Sequence, residues 1–226
     1  MSSSAQAGGV PVLVLKEGSS RSRGREAQHT NIMAAKIVAE TVKSALGPKG
    51  MDKMLVDSMG DTTITSNGRT ILDEMDIQHP AAKMLVEVAK RQDNEVGDGT
   101  TTAVVIAGEL LSKAQELMDQ DVHPTIIIDG YKKASAEALQ ILDSLAITAD
   151  PTDIKTLRQI ASTSMGTKAV ATSKDFLAQL ATSAVTQVMD SSNGKIKADI
   201  ERIKVLKKHG EGIEQTERVK EIFLDK

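Results

Sequence analysis

Helix starts and stops recur along the first two thirds of the chain, and they constrain its fold more than any other feature of the sequence. From about Thr30, residues Ile32, Met33, Ile37, Val38, Val42, Ala45 and Leu46 keep a helical period. Gly47-Pro48 then stops that helix, because glycine accepts the left-handed closing conformation and proline cannot continue. His79-Pro80 opens a second helix with Met84, Leu85, Val88 and Ala89 on its apolar side, the proline standing where its missing N–H costs nothing. Gly97-Asp98-Gly99 ends it, and Thr100 to Thr102 start a long helix to about Gln120. His123-Pro124 repeats the opening chemistry for a helix to about Leu145. The expected fold class is mainly α with small β elements.

The β elements are brief. Residues 1–9 read as a flexible tail, followed by a β-run from Val10 to Leu15 in which Pro11 suits an edge. The polar segment EGSSRSRGREAQ, with Gly18 and Gly24, reads as loop. Met54–Val56 and Thr62–Thr65 read as two strands around a turn at Met59-Gly60-Asp61, and the turn Ser66-Asn67-Gly68 leads into a short helix near Ile71 to Met75. Ala149-Asp150-Pro151 marks a boundary. Beyond it, helices are expected near Asp153–Ser162 and Ser173–Met189, with a turn at Ser191 to Gly194. Alternation through Ile200, Ile203 and Val205 hints at a strand over residues 200–206, and Thr216 to Lys226 runs out without a stop signal.

Composition removes several functional classes. Lys plus Arg number 28 against 31 for Asp plus Glu, a net of −3, so the broad basic field of a non-specific nucleic-acid binder is missing. Tyr131, Phe176 and Phe223 are the only aromatic residues, too few for a base-stacking platform, and the core must be built from Val, Ile, Leu, Ala and Met. No nucleic-acid partner is expected. The absence of cysteine excludes disulfides, thiol nucleophiles and cysteine-ligated zinc. Met1 to Gly9 carries no charged-then-apolar signal pattern, and apolar stretches such as Ala103–Ala107 are far too short to cross a bilayer. A reducing cytoplasm and no membrane partner are expected.

Three segments could carry chemistry. Gly97-Asp98-Gly99-Thr100-Thr101-Thr102 stands at the mouth of a helix, where glycines admit close backbone approach and unpaired amides with the helix dipole favour an anion such as phosphate. The threonines add hydroxyl donors, and Asp98 makes sense if Mg²⁺ bridges the phosphates. The plainer alternative is a glycine turn with a threonine N-cap. Leu46-Gly47-Pro48-Lys49-Gly50-Met51-Asp52-Lys53 lacks the Gly-Lys-Ser/Thr triplet of a Walker A loop; it either closes over a nucleotide or simply ends a helix. Thr65-Ser66-Asn67-Gly68 is a tight turn that also suits a strand-to-helix corner. An EF-hand over Asp93 to Gly99 fails, because the required sixth-position glycine is Asp98. His29, His79, His123 and His209 have no zinc spacing, and His79 and His123 read as turn residues. Glu87, Glu109 and Glu116 suit a solvated face, and methionines at helical spacing suit the core.

Taken together, PVLVLKEGSSR, LGPKGMDKMLVDSMGDTTIT, DIQHPAAKMLVEVAKRQDNEVGDGTTTAVVIAGELL, HPTIIIDGYKKA and STSMGTKAV resemble, in that order, a group II chaperonin subunit of the archaeal thermosome and eukaryotic CCT family. The resemblance covers nearly the whole chain from Val10. It implies a helical equatorial domain that holds ATP and makes ring contacts, an α/β intermediate domain, and an inserted apical domain that binds substrate. Residues 10–150 then match the first half of the equatorial domain, 151–217 the first half of the intermediate domain, and 218–226 the truncated start of the apical domain.

The resemblance further implies a protein-folding ATPase with ATP/ADP and Mg²⁺ as cofactors. Its partners would be other chaperonin subunits in a double ring and non-native protein clients. By position, Leu46, Gly47 and Pro48 would lie against the nucleotide, Asp98 would hold Mg²⁺, and Gly99, Thr100, Thr101 and Thr102 would bind phosphates. Lys168 matches a loop that senses the γ-phosphate, and the strands around Gly60 match a stem-loop that pairs with a neighbouring subunit. One departure from the family's Thr-Asn-Asp-Gly-Ala/Val-Thr matters in Thr65-Ser66-Asn67-Gly68-Arg69-Thr70: Asn67 stands where the family has an aspartate that helps position the attacking water. A carboxylate can take or orient a proton, whereas an amide can only hydrogen-bond. Arg69 adds a positive charge near the same corner. ATP binding is expected to survive these changes. The alternative is a non-catalytic ring- or nucleotide-binding fragment without folding activity.

Overall fold

A computed structural model describes residues 5–7, 10–12, 21–168, 170–192, 195–210 and 212–219. In chain order the elements are β1 (Ala5–Ala7), β2 (Val10–Val12), α1 (Gly24–Lys43), β3 (Lys53–Val56), β4 (Thr62–Thr65), α2 (Gly68–Glu74), α3 (Pro80–Val96), α4 (Thr100–Asp119), α5 (Pro124–Leu145), α6 (Ile154–Met165), α7 (Lys174–Gln187), β5 (Met189–Ser192) and β6 (Lys195–Ala198). The fold is mainly α, and among the described residues three pairs of antiparallel strands, β1–β2, β3–β4 and β5–β6, make up the β structure.

The core lies where α1, α2, α3 and α4 converge. Val42, Ile71, Leu72 and Val104 are its fully buried large side chains, with Ala35, Val38, Ala39, Ala82, Leu85 and Ala89 around them. Small residues set the closeness of the packing. A Cβ built on Gly108 of α4 would stand 2.2 Å from the Cβ of Ala39, so α1 and α4 cross at a point where only glycine fits.

Small residues also turn two helices from the faces expected of them. In α1 the buried stripe is Ile32, Ala35, Val38, Ala39 and Val42, while Met33 and Ile37 are exposed, as is Leu46 beyond the end of the helix. In α3 it is Ala82, Leu85, Val86 and Ala89, and Met84 is 70% exposed, so it is no core methionine. Large side chains satisfy periodicity, but alanines let the helix axes approach, and the seam follows the alanines.

Helix α1 begins at Gly24 rather than near Thr30, inside the segment expected as loop. Its polar first turns are held by α4: Arg25 donates to the Met118 carbonyl at 2.9 Å and pairs with Asp121, and Gln115 meets His29 Nδ1 at 2.9 Å. Arg25 thereby adds a side-chain donor to a carbonyl in the last turn of α4 that also accepts from Asp121 N–H at 3.0 Å. The helix ends at Lys43, and Gly47, with φ +87°, turns the chain after it. The histidine-proline starts of α3 and α5 are as expected: His79 Nδ1 accepts from Ala81 N–H at 3.2 Å, and His123 Nδ1 from Thr125 N–H at 3.3 Å. Of α5 only Ile127 is buried among the described residues, although Tyr131 Oη donates to the Leu110 carbonyl at 2.6 Å.

Three β expectations change. Within the expected tail, Ala5–Ala7 pairs with Val10–Val12, with Gln6 opposite Pro11. Residues 13–15 of the expected run lie outside the described residues. Ser191 and Ser192 belong to β5 instead of a turn. No strand forms over residues 203–206: residues 200–202 make a 3₁₀ turn and Val205 is 82% exposed, so alternation there has neither a partner strand nor a covering layer among the described residues.

Candidate functional site

Two left-handed glycines build the corner between α3 and α4. Gly97 (φ +73°) closes α3 by donating its N–H to the Asp93 carbonyl at 2.8 Å, and Gly99 (φ +76°) is the N-cap of α4. Residues with a Cβ resist that conformation, which explains glycine at both positions. No side chain caps α4, so the threonine-cap alternative fails; Thr100 is already the first helical residue. The open amides of the first turn of this 20-residue helix and the Thr100, Thr101 and Thr102 side chains border a cleft of about 390 Å³. That volume suits a small-molecule ligand.

Asp98 sits between the glycines. Gln92 Nε2 donates to its carbonyl at 2.9 Å, and Gly99 N–H to its Oδ1 at 2.9 Å. Ser164 Oγ donates to Oδ2 at 2.6 Å, Lys168 Nζ to Oδ1 at 3.1 Å, and Lys168 Nζ also to Ser164 Oγ at 3.2 Å. Partial burial pushes the carboxyl upward, but the hydrogen bonds from Ser164, Lys168 and Gly99 outweigh it and hold Asp98 below the usual carboxylate range. Asp98 is therefore an anion at neutral pH.

The opposing wall is the loop after α1. Gly50 N–H donates to the Gly47 carbonyl at 2.9 Å and Met51 N–H to the Ser44 carbonyl at 3.0 Å. A Cβ on Gly50 would fall 2.3 Å from the Ala45 carbonyl oxygen, so this tight loop requires glycine there. Leu46, Gly47 and Asp52 line the cleft, and Pro48 does not.

The third wall is Thr65-Ser66-Asn67. Buried Gly68 packs so close to α4 that a Cβ would stand 2.5 Å from Thr101 Oγ1 and 2.9 Å from Thr101 Cα. Asn67 N–H donates to Thr65 Oγ1 at 3.1 Å, and Asn67 Oδ1 accepts from Thr70 N–H at 3.2 Å, capping α2. Arg69 follows in the first turn of α2. It pairs with Asp93, and with Asp73 at 3.3 Å, and it does not line the cleft.

Leu46, Gly47, Asn67, Asp98, Gly99, Thr100, Thr101, Thr102 and Lys168 thus meet at one cleft, while Pro48 and Arg69 stand outside it. Sequence reasoning missed Asp52, Gln92 and Ser164 as site residues. Ser164 carried a readable signal, since it lies four residues before Lys168 and the two reach the same carboxylate. No cluster of three His, Cys, Asp or Glu residues suited to a metal exists among the described residues. One anionic carboxylate beside hydroxyls and open amides fits Mg²⁺ carried on a phosphate ligand, because that ion keeps waters and phosphate oxygens around one or two carboxylates.

The profile of the TCP-1/cpn60 chaperonin family matches residues 38–226. A thermosome subunit of Pyrococcus horikoshii is 57% identical over 222 residues, covering 98% of this chain and 40% of the relative. A thermosome subunit of Desulfurococcus is 55% identical over 222 residues, covering 98% and 41%. The thermosome subunit beta of Archaeoglobus fulgidus is 55% identical over 218 residues, covering 96% and 40%. The chain spans about two fifths of the length of these curated relatives. On the family profile and these identities, the chain belongs to the TCP-1/cpn60 chaperonin family.

Proposed function

We propose that this chain is the nucleotide-binding portion of an ATP-dependent protein-folding chaperonin subunit, and that its cleft binds Mg-ATP and Mg-ADP. The observation that carries this reading is the Gly97-Asp98-Gly99 corner: an anionic carboxylate and the uncapped start of a long helix share one cleft. Thr100, Thr101 and Thr102 offer phosphate oxygens amide and hydroxyl donors, with Gly99 allowing close approach. Leu46 and Gly47 offer the nucleotide an apolar and a backbone surface, and Lys168 meets the terminal phosphate. Asp98 would hold Mg²⁺, which when bound neutralises phosphate charge.

In this reading residues 10–150 belong to an equatorial domain and 151–217 to an intermediate domain. The partners are other subunits of a double ring and non-native proteins, and the setting is the cytoplasm. Fluorescence titration of the 226-residue chain with a labelled ADP tests the binding. Saturable binding that needs Mg²⁺ and is lost in Asp98→Ala is expected; binding indifferent to both would refute the reading.

Asn67 favours a second reading for this chain, nucleotide binding without turnover. Its Oδ1 is engaged by the α2 backbone, and an amide has no site that takes a proton from water. Phosphate release above background that disappears in Asp98→Ala would exclude it.

A further inference from the structure

Every oxygen of the Asp98 side chain already has a partner. Oδ2 accepts from Ser164, and Oδ1 from both Lys168 and Gly99 N–H. Ser164 lies in the last turn of α6 and Lys168 just beyond it, where Lys168 N–H donates to the Met165 carbonyl at 3.2 Å. Helix α6 packs chiefly on α7, and among the described residues the hydrogen bonds from residues 154–170 to the α1–α5 body all end on Asp98. One carboxylate is thus both the expected cation ligand and the anchor of a separate helical hairpin.

We propose that Lys168 is a built-in counter-ion that occupies Asp98 while no divalent cation is bound, so that a cation entering the cleft displaces it and loosens the end of α6. The Lys168 ammonium lies 3.1 Å from Oδ1. A magnesium-sized ion binds an oxygen at about 2.1 Å, so ion and ammonium on one oxygen would crowd and repel each other. Ser164 carries no charge and can stay on Oδ2, which makes it the positioning residue that keeps the carboxylate aimed. Lys168 moves, and the terminal phosphate arriving with the ion offers it a new partner. The inference rests on the nucleotide reading and adds a consequence: a cation that loads the cleft frees the end of α6 from Asp98.

Mn²⁺, followed by spin resonance on the 226-residue chain without nucleotide, is the probe. Both members of the ion pair are partly exposed, 41% and 46%. Loss of such a pair should tighten Mn²⁺ binding about 2–5-fold in Lys168→Met, and in Lys168→Gln as a second variant. Lys155→Met removes the same charge from the far end of α6 and should leave Mn²⁺ affinity at the wild-type value. Mn²⁺ should also speed hydrogen exchange over residues 162–168 in the wild type, while in Lys168→Met exchange is already fast and does not respond. Equal affinities in wild type and Lys168→Met, equal tightening by Lys155→Met, or increased protection on adding Mn²⁺ would each overturn the proposal. Labelled ADP in parallel separates the two failures. Lost ADP binding with the Mn²⁺ pattern intact refutes the nucleotide reading alone, and intact ADP binding with no Lys168 effect refutes the counter-ion alone.

Discussion

Substituting Gly108 by alanine sets two known effects against each other, with a sign that the packing decides. In a free helix, Gly→Ala stabilises by about 1 kcal/mol. Here the new methyl would stand 2.2 Å from the Cβ of Ala39, which is 5% exposed and has no room to retreat. Carbon atoms rest at about 3.5–4.0 Å, so α1 and α4 must part by more than about 1 Å along their longest contact. Overpacking of this kind costs about 1–3 kcal/mol, and an overlap between two rigid backbones belongs near the upper end. After the gain in propensity, Gly108→Ala should be destabilised by about 2 kcal/mol, or roughly 4–8 °C in melting temperature for a chain of this size. Thermal and urea unfolding followed by circular dichroism would measure it. Ala39→Gly in the same background removes the clash, so the double mutant should be more stable than the sum of the single effects by at least about 1 kcal/mol. A Gly108→Ala protein that melts at or above the wild-type temperature would refute the close crossing.

Asn67→Asp keeps the α2 cap, since both side chains cap equally well, so the melting temperature should not move; in a chain extended to the length of its relatives, single-turnover hydrolysis should rise, by up to about 10²–10⁴-fold, and equal rates would make Asn67 catalytically neutral. Arg69→Ala should lower the melting temperature, because Asp93 and Asp73 lose a partner, yet leave affinity for labelled ADP unchanged, since Arg69 does not line the cleft. Asp153 caps α6, accepting from Thr156 Oγ1 at 2.6 Å and Lys155 N–H at 3.0 Å, and these bonds hold its carboxyl below the usual range. Its stabilisation is full above the ordinary value of 3.8 and is lost as pH falls through the lower folded-state value, so amide protection factors at the start of α6, corrected for the intrinsic exchange rate, should drop there, and Asp153→Ala should remove that pH step.

Local chemistry was legible from the residues alone. The histidine-proline starts of α3 and α5, the hairpin of β3 and β4 and the glycine corner around Asp98 each depend on a few adjacent residues whose conformational preferences are strong. Nine of the expected site residues border the cleft, each found through motif or resemblance. What required the tertiary structure is whatever depends on residues distant in the chain. Periodicity could not choose the buried face of α1, because close approach of Ala39 and Gly108 chose it, nor that of α3, where Ala82 and Ala89 are buried and Met84 is exposed. The first turns of α1 are helical through partners on α4, beyond the reach of any local propensity. That the charge of Arg69 is taken up by Asp93, on another helix, is likewise visible only in the fold. Ser164 and Lys168 meet Asp98 across a long stretch of chain, and only folding brings an ammonium and a carboxylate close enough for Coulomb attraction and hydrogen bonding to outweigh burial.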